Sequence, residues 1–303
     1  MAIDGSERSF AASAYLGKVF SKKAEIVLFH VMSEAPEAFK DASADPITEK
    51  ENYPLSVWKN GQQETIQEFM TIASDILIAS GFPKEAISVK TQILRYGVAR
   101  DILNESQRNY DILVVGRTGI SKIEYFTLGS VASKLVDVVA HPPIIVVGEN
   151  TESKKIIIAI DGSSGSIEAV RCAGALLDPA ACEIMLCHVI RPLCVQQMSA
   201  KILFSAKHET DWIAANQRKI VPMINKAKRH LAEAGFAEAK ISSEILTYQT
   251  SRAAAIVQAA TKGGYDTIVF GRQGLTSVRK FKIGRVSRKI LHYAFRPTLW
   301  IVG

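Results

Sequence analysis

Ile112-Leu113-Val114-Val115-Gly116-Arg117-Thr118-Gly119, nine residues, then Gly129-Ser130: this stretch recurs as Ile268-Val269-Phe270-Gly271-Arg272-Gln273-Gly274, nine residues, then Gly284-Arg285. Each copy opens with an apolar run of strand length and is followed by an apolar pattern of helical period. Glycines between a strand and a helix let backbone N–H groups approach a ligand closely, and the helix N-terminus adds partial positive charge. Such a loop suits phosphate. One glycine-spaced loop is a weak signal, but two copies of one spacing, each between strand and helix, are a much stronger one.

The repeat extends outward from the loops. Asp4-Gly5-Ser6 matches Asp161-Gly162-Ser163, His30-Val31 matches His188-Val189, and Gly81-Phe82 matches Gly235-Phe236. From Tyr110 to Gly148 the offset to the second copy is a constant 155 residues, so the insertions and deletions lie upstream of the loops. Two domains are expected, residues 1–148 and 154–303, joined by the short linker Glu149-Asn150-Thr151-Glu152-Ser153. A chain of 303 residues is long enough for two full cores.

Within each half, short β-branched runs alternate with helical patterns, which predicts a parallel sheet covered by helices on both faces. Strands are expected near 1–3, 25–32, 87–93, 110–115 and 143–147, and again near 154–160, 182–190, 240–246, 265–270 and 297–302. Helices are expected near 6–20, 60–80, 97–107 and 129–140, and near 164–177, 211–234, 252–262 and 284–294. Pro222 is expected to kink the helix that contains it. Residues 33–59 and 191–209 read as long connections, of the kind that form lids. The first strand of the first half is short, with only Met1-Ala2-Ile3 where the second half has Lys154–Ile160. A misassigned start or a trimmed chain accounts for that.

At 48% hydrophobic and 22% charged, the chain is of globular and not disordered composition. Its apolar runs fall far short of the ~20 residues that span a bilayer. Its four cysteines (Cys172, Cys182, Cys187, Cys194) include no Cys-x-x-Cys pair, so free thiols and a cytoplasmic location are expected. Charge is uneven: residues 1–150 hold 15 Lys/Arg against 19 Asp/Glu, and residues 151–303 hold 22 against 11. Eight basic residues and no acid lie between Gly271 and Arg296. They form either a solvated basic face or a site for an anionic partner. RNA is the weaker version of that second reading, because only Phe281 supplies a stacking aromatic in the loop.

The motif Gly-x2-Gly-x9-Gly-Ser, with an Asp closing the first strand and His-Val closing the second, resembles the universal stress protein family. The resemblance covers nearly the whole chain, twice. It implies the adenine nucleotide α-hydrolase-like α/β fold, with five parallel strands in the order 3-2-1-4-5 and a nucleotide held where that order reverses. It also implies a pseudo-dimer through the last strands, Ile144–Val147 and Leu299–Val302. The ligand implied is ATP, or AMP or ADP, with Mg²⁺ carried by the nucleotide. By position, Asp4 takes the adenine or ribose side and Val31 the adenine. Gly116, Arg117, Gly119, Gly129, Ser130 and Val131 surround the phosphates. In the second half the matches are Asp161, Val189, Gly271, Arg272, Gly274 and Gly284. There Arg285 replaces the hydroxyl residue, and Ser287 is hydroxylic where the first half has Ala132.

Arg285 either clamps phosphate or fills the space that phosphate needs. Asp4 and Asp161 either meet the ligand or cap the following helices. The residues supply no P-loop, no nucleophilic triad and no metal cage, so neither catalytic nor metal-ligating residues are assigned. The function expected is a nucleotide-dependent stress-response regulator, with the first site intact and the second altered. Slow ATP hydrolysis is the enzymatic alternative. An unidentified protein partner and a homodimer are further expectations.

Overall fold

The computed structural model describes residues 1–34, 55–119, 128–193, 205–275 and 282–303. The first half runs α1 (Glu7–Val19), β1 (Ile26–Met32), α2 (Leu55–Ala79), β2 (Ile87–Ile93), α3 (Val98–Ser106), β3 (Leu113–Gly116), α4 (Ser130–Val138) and β4 (Ile144–Val147). The second runs β5 (Lys155–Ala159), α5 (Ser164–Leu176), β6 (Glu183–Val189), α6 (Ala206–Glu233), β7 (Ile241–Leu246), α7 (Arg252–Gly263), β8 (Thr267–Gly271), α8 (Arg285–Tyr293) and β9 (Thr298–Val302).

In the second half the strands lie in the order β7-β6-β5-β8-β9, all parallel. In the first half β1 pairs with β2, and β3 with β4, again in parallel. Residues 1–3 lie between those pairs. Phe29 N donates to Met1 O (2.8 Å), Ile3 N to Phe29 O (2.9 Å) and Ala2 N to Val114 O (2.8 Å). So short a segment makes only one bridge, Ala2 to Phe29. The central position of the first sheet is thus filled, by much less ladder than β5 provides.

The two halves meet edge to edge. β4 and β9 run antiparallel, Ile144 opposite Ile301, Ile145 opposite Trp300 and Val146 opposite Leu299, which makes one sheet of seven strands. These strands are buried on both faces, which is why they read as unbroken apolar runs. Alternate residues serve opposite layers: Ile145, Val147, Trp300 and Val302 enter one core, and Ile144, Val146, Leu299 and Ile301 the other. Each core mixes residues of both halves.

Side chains fasten the seam further. Trp300 is fully buried and donates Nε1–H to Tyr15 Oη (2.8 Å), which lies 3.0 Å from Thr267 Oγ1. Ser21 N donates to Leu176 O (2.9 Å) and Asp178 N to Val19 O (2.8 Å). The linker is pinned by Arg8 on Glu149 and Lys18 on Glu152, each at 2.8 Å.

Two helices begin earlier than the apolar pattern predicts, at 55 and 206 instead of 60 and 211. At the second, Ser205 accepts from His208 N, and the His208 side chain accepts from Ser205 N, a capping box with histidine at its third position. α6 continues through Pro222. The lid segments expected within 33–59 and 191–209 lie partly outside the described residues.

Candidate functional site

Each half places an aspartate and a glycine loop at the C-terminal ends of its strands, beside the central one. In the first, Asp4 follows the residue that ends the central strand. Its Oδ1 accepts from Ser6 N (3.1 Å) and Ser6 Oγ (2.6 Å). Ser6 is the residue that caps α1, accepting from Ser9 N at 3.2 Å. The capping reading of Asp4 is therefore corrected: the serine two residues on caps the helix, and Asp4 holds that serine. The turn needs Gly5, whose φ is +77° and whose added methyl group would stand 2.8 Å from the Phe69 ring.

The second carboxylate oxygen of Asp4 points at the glycine loop. A methyl group on Gly119 would stand 2.7 Å from Asp4 Oδ2, closer than real side chains approach. The second half repeats this. Asp161 Oδ1 accepts from Ser163 N (2.9 Å) and Oγ (2.6 Å), Ser163 caps α5, and a methyl group on Gly274 would stand 2.6 Å from Asp161 Oδ2. Glycine at 119 and 274 is what lets each loop close onto its aspartate. A carboxylate oxygen against a glycine backbone can accept from a hydroxyl or amino group of a ligand entering there.

The loops return by a shared bond. Gly129 N donates to Arg117 O and Gly284 N to Arg272 O, both at 2.8 Å. The amides of Gly129 and Gly284 are thus already engaged, which corrects their assignment as phosphate donors. First-turn amides have no partner within the helix, so at α4 and α8 those of Ser130 and Arg285 are the first that could meet an anion. Ser130 and Arg285 are the exposed first residues of those helices, with Val131 beside Ser130.

Arg117 and Arg272, expected at the phosphates, are turned away from them. Both side chains are buried. Arg117 Nη2 donates to Leu291 O (2.9 Å) at the end of α8, and Arg272 donates to Val136 O (2.8 Å) and Val139 O at the end of α4. Each arginine thus serves a helix C-terminus in the opposite half, where carbonyls lack helical donors and the dipole favours a cation. Burial pulls the Arg117 guanidinium down to about 10, with Glu149 opposing. Ser287 is corrected too: it is buried and its Oγ donates to Gly271 O (2.8 Å), tying α8 to the end of β8.

Val31, next to last in β1, and Val189, last in β6, are buried. The histidines before them support the central strands. His30 Nδ1 lies 2.8 Å from Ile3 O and His188 Nδ1 2.6 Å from Ile160 O. Burial pulls both imidazoles below their ordinary range, against the hydrogen bond to the strand carbonyl. Neutral at pH 7, each donates Nδ1–H to that carbonyl.

The first half opens into a cleft of about 1220 Å³, walled by His30, Trp58, Gln62 and Phe69, with Asp4 and Gly119 at its floor. His30 meets Phe69 edge-on at 5.0 Å. Phe69 reads in the sequence as one member of a core stripe, and Trp58 falls in an unassigned connection. The signal for Trp58 was present: it recurs at the matching position as Trp212, whose Nε1–H donates to Arg191 O (3.0 Å). Cys172, Cys182 and Cys187 are free, and burial raises all three thiols, Cys182 to about 11. Among the described residues, no group of three His, Cys, Asp or Glu could hold a metal. Nor is any described helix long and apolar enough to cross a membrane.

Parallel α/β halves with a glycine loop closing on an aspartate at the C-terminal edge of the sheet define an α/β protein of the doubly wound class. The model of the universal stress protein family matches residues 1–147 and again 152–301, and the chain belongs to that family as a tandem, two-domain member. It is 28% identical to universal stress protein YxiE of Bacillus subtilis (strain 168) over 147 residues, which is 48% of this chain and 96% of that protein. A universal stress protein from Archaeoglobus fulgidus DSM 4304 has a similar structure, with a TM-score of 0.56, 17% identity, and 99% of this chain and 96% of that one covered. A universal stress protein solved in complex with cAMP aligns with 49% of this chain and 96% of its own, at 20% identity and a TM-score of 0.36.

Proposed function

We propose that the first half binds an adenine nucleotide, ATP or a related adenylate, and that occupancy of this site is the signal the protein gives to a partner in a stress response. The observation that carries the reading is the closure of Gly119 onto Asp4 at the floor of a cleft large enough for a nucleotide. Asp4 Oδ2 accepts a ribose hydroxyl or the adenine amino group. The base lies toward Val31 and the Phe69 and Trp58 wall. The phosphates lie at the start of α4, against Ser130 and Val131. Micromolar affinity needs about 8 kcal/mol, and a helix dipole supplies only ~0.3–1 kcal/mol, so base burial in the cleft must contribute most. Mg²⁺, if present, arrives on the phosphates.

The test is calorimetric titration of the full chain with ATP, wild type against Gly119→Ala. The added methyl group displaces either the loop or Asp4, and a loss of at least tenfold is expected. Unchanged affinity with unchanged stoichiometry would reject the site.

A further inference from the structure

At the C-terminal edge of the sheet the second half carries three arginines that the first half lacks. Arg191 stands where the first half has Ser33, Arg252 where it has Val98, and Arg285 where it has Ser130. The pairs are structurally equivalent: residues 33 and 191 lie three past the matched histidines, and the other two pairs are the first residues of matched helices. All three arginines sit at the C-terminal edge of the sheet, in segments that follow β6, β7 and β8. Arg191 and Arg252 lie on the β6–β7 side of Asp161, and Arg285 lies on its β8 side. Among the described residues none of the three makes an ion pair. Arg191 Nε is buried with no hydrogen-bond partner. Arg252 lies within electrostatic reach of both Arg191 and Asp161: burial lowers its guanidinium first, Arg191 adds to that, and Asp161 opposes it. Unpaired guanidinium groups within reach of one another repel, and an anion relieves that repulsion.

A nucleotide charged only at its 5′ end would meet Arg285 and leave the β6–β7 side uncompensated. Guanidinium groups on both sides of the central carboxylate call for a ligand anionic at two separated points. We propose that the second half, at Asp161 and its glycine loop, selects a 5′-nucleotide that also carries a phosphate on its ribose, with Arg191 and Arg252 holding the ribose phosphate and Arg285 the 5′ phosphate. This rests on the same placement of ligand that is proposed for the first half, with base and ribose beside the aspartate and 5′ phosphate at the glycine loop.

Trp212 offers a local reporter, because it donates to the backbone of Arg191. In Trp58→Phe the tryptophan of the first cleft is gone, and Trp300 is fully buried. The experiment titrates that variant with AMP, adenosine 2′,5′-bisphosphate and adenosine 3′,5′-bisphosphate, following tryptophan fluorescence. At least one bisphosphate is expected to bind tenfold or more tighter than AMP. Adding Arg191→Ser and Arg252→Val, the first half's own residues, should abolish that preference, the bisphosphates then binding no tighter than AMP. Three results would overturn the proposal: equal binding of all three ligands, no ligand response at Trp212, or a preference that survives the double substitution. ATP titration of Gly119→Ala runs in parallel. If only the bisphosphate preference fails, the first-half site stands, and if ATP binding is also insensitive to Gly119, both readings fall.

Discussion

Asp4 divides its two oxygens between the helix cap and the glycine loop. Oδ1 holds Ser6 in its capping position, and Oδ2 faces Gly119. Gly5 between them adopts a left-handed backbone that costs an L side chain about 1–2 kcal/mol, and any Cβ there meets Phe69. Gly5→Ala is therefore expected to lower unfolding stability by about 1–3 kcal/mol, seen as a lower urea midpoint with an unchanged slope. The histidines give a pH prediction. Burial lowers His30 and His188 in the folded chain, so the unfolded chain binds their protons more tightly. Their contribution is full above the ordinary histidine pKa of about 6.5 and is lost as pH falls below it. His30→Asn with His188→Asn keeps a side-chain N–H near each strand carbonyl and removes the titration. Between pH 7 and 5 the variant should lose less stability than the wild type, and parallel curves would show that these imidazoles are not depressed. The aspartates and loop glycines were legible in the sequence because the same residues recur in both halves. Arg117 was not, because its acceptor, Leu291, is 174 residues away in the other half. A basic residue inside a glycine loop reads as a phosphate ligand until its partner is known.

Helices α4 and α8 each begin at a candidate phosphate site and end on an arginine from the other half. Removing that arginine strips two carbonyls of a charged donor at the end of α4, in a place water does not reach. Hydrogen bonds to charged groups contribute about 1.5–3 kcal/mol each, so Arg272→Met should cost about 3 kcal/mol or more in chemical denaturation. A cost under about 0.5 kcal/mol, the range of ordinary surface changes, would show the contact to be incidental. The strands were the readable elements. Buried on both faces, they appear as β-branched runs with turns at their ends, and their observed bounds differ from the pattern by only a few residues. The starts of the long helices were less readable. At α6 the signal is a Ser205 and His208 cap in a polar stretch, where the expected partner of a capping serine is Glu or Gln. At α6 the apolar stripe begins later because the first turn is largely exposed and buries little.

At the scale of the molecule, the repeat in the sequence announces two domains, but the structure joins them into one sheet with two shared cores. Separate halves would each present a fully apolar edge strand, β4 or β9, to water. The Tyr15, Thr267 and Trp300 chain would lose its partners across the seam. Interfaces between domains of one chain are usually polar and permit relative motion, whereas this seam is a continuous sheet between two shared apolar cores. Here cooperativity between the halves is expected to be complete. Differential scanning calorimetry should show one endotherm with calorimetric and van't Hoff enthalpies in agreement. Trp300→Ala should lower stability by about 3–5 kcal/mol, the range for deleting a buried tryptophan side chain. Because Trp300 lies in the core shared with α1, this loss should fall on both halves together, shifting the single endotherm without splitting it. Two resolved transitions in the wild type, or a Trp300→Ala endotherm in which only one moves, would show that the halves fold as independent units and that the seam is a contact surface, not a common core.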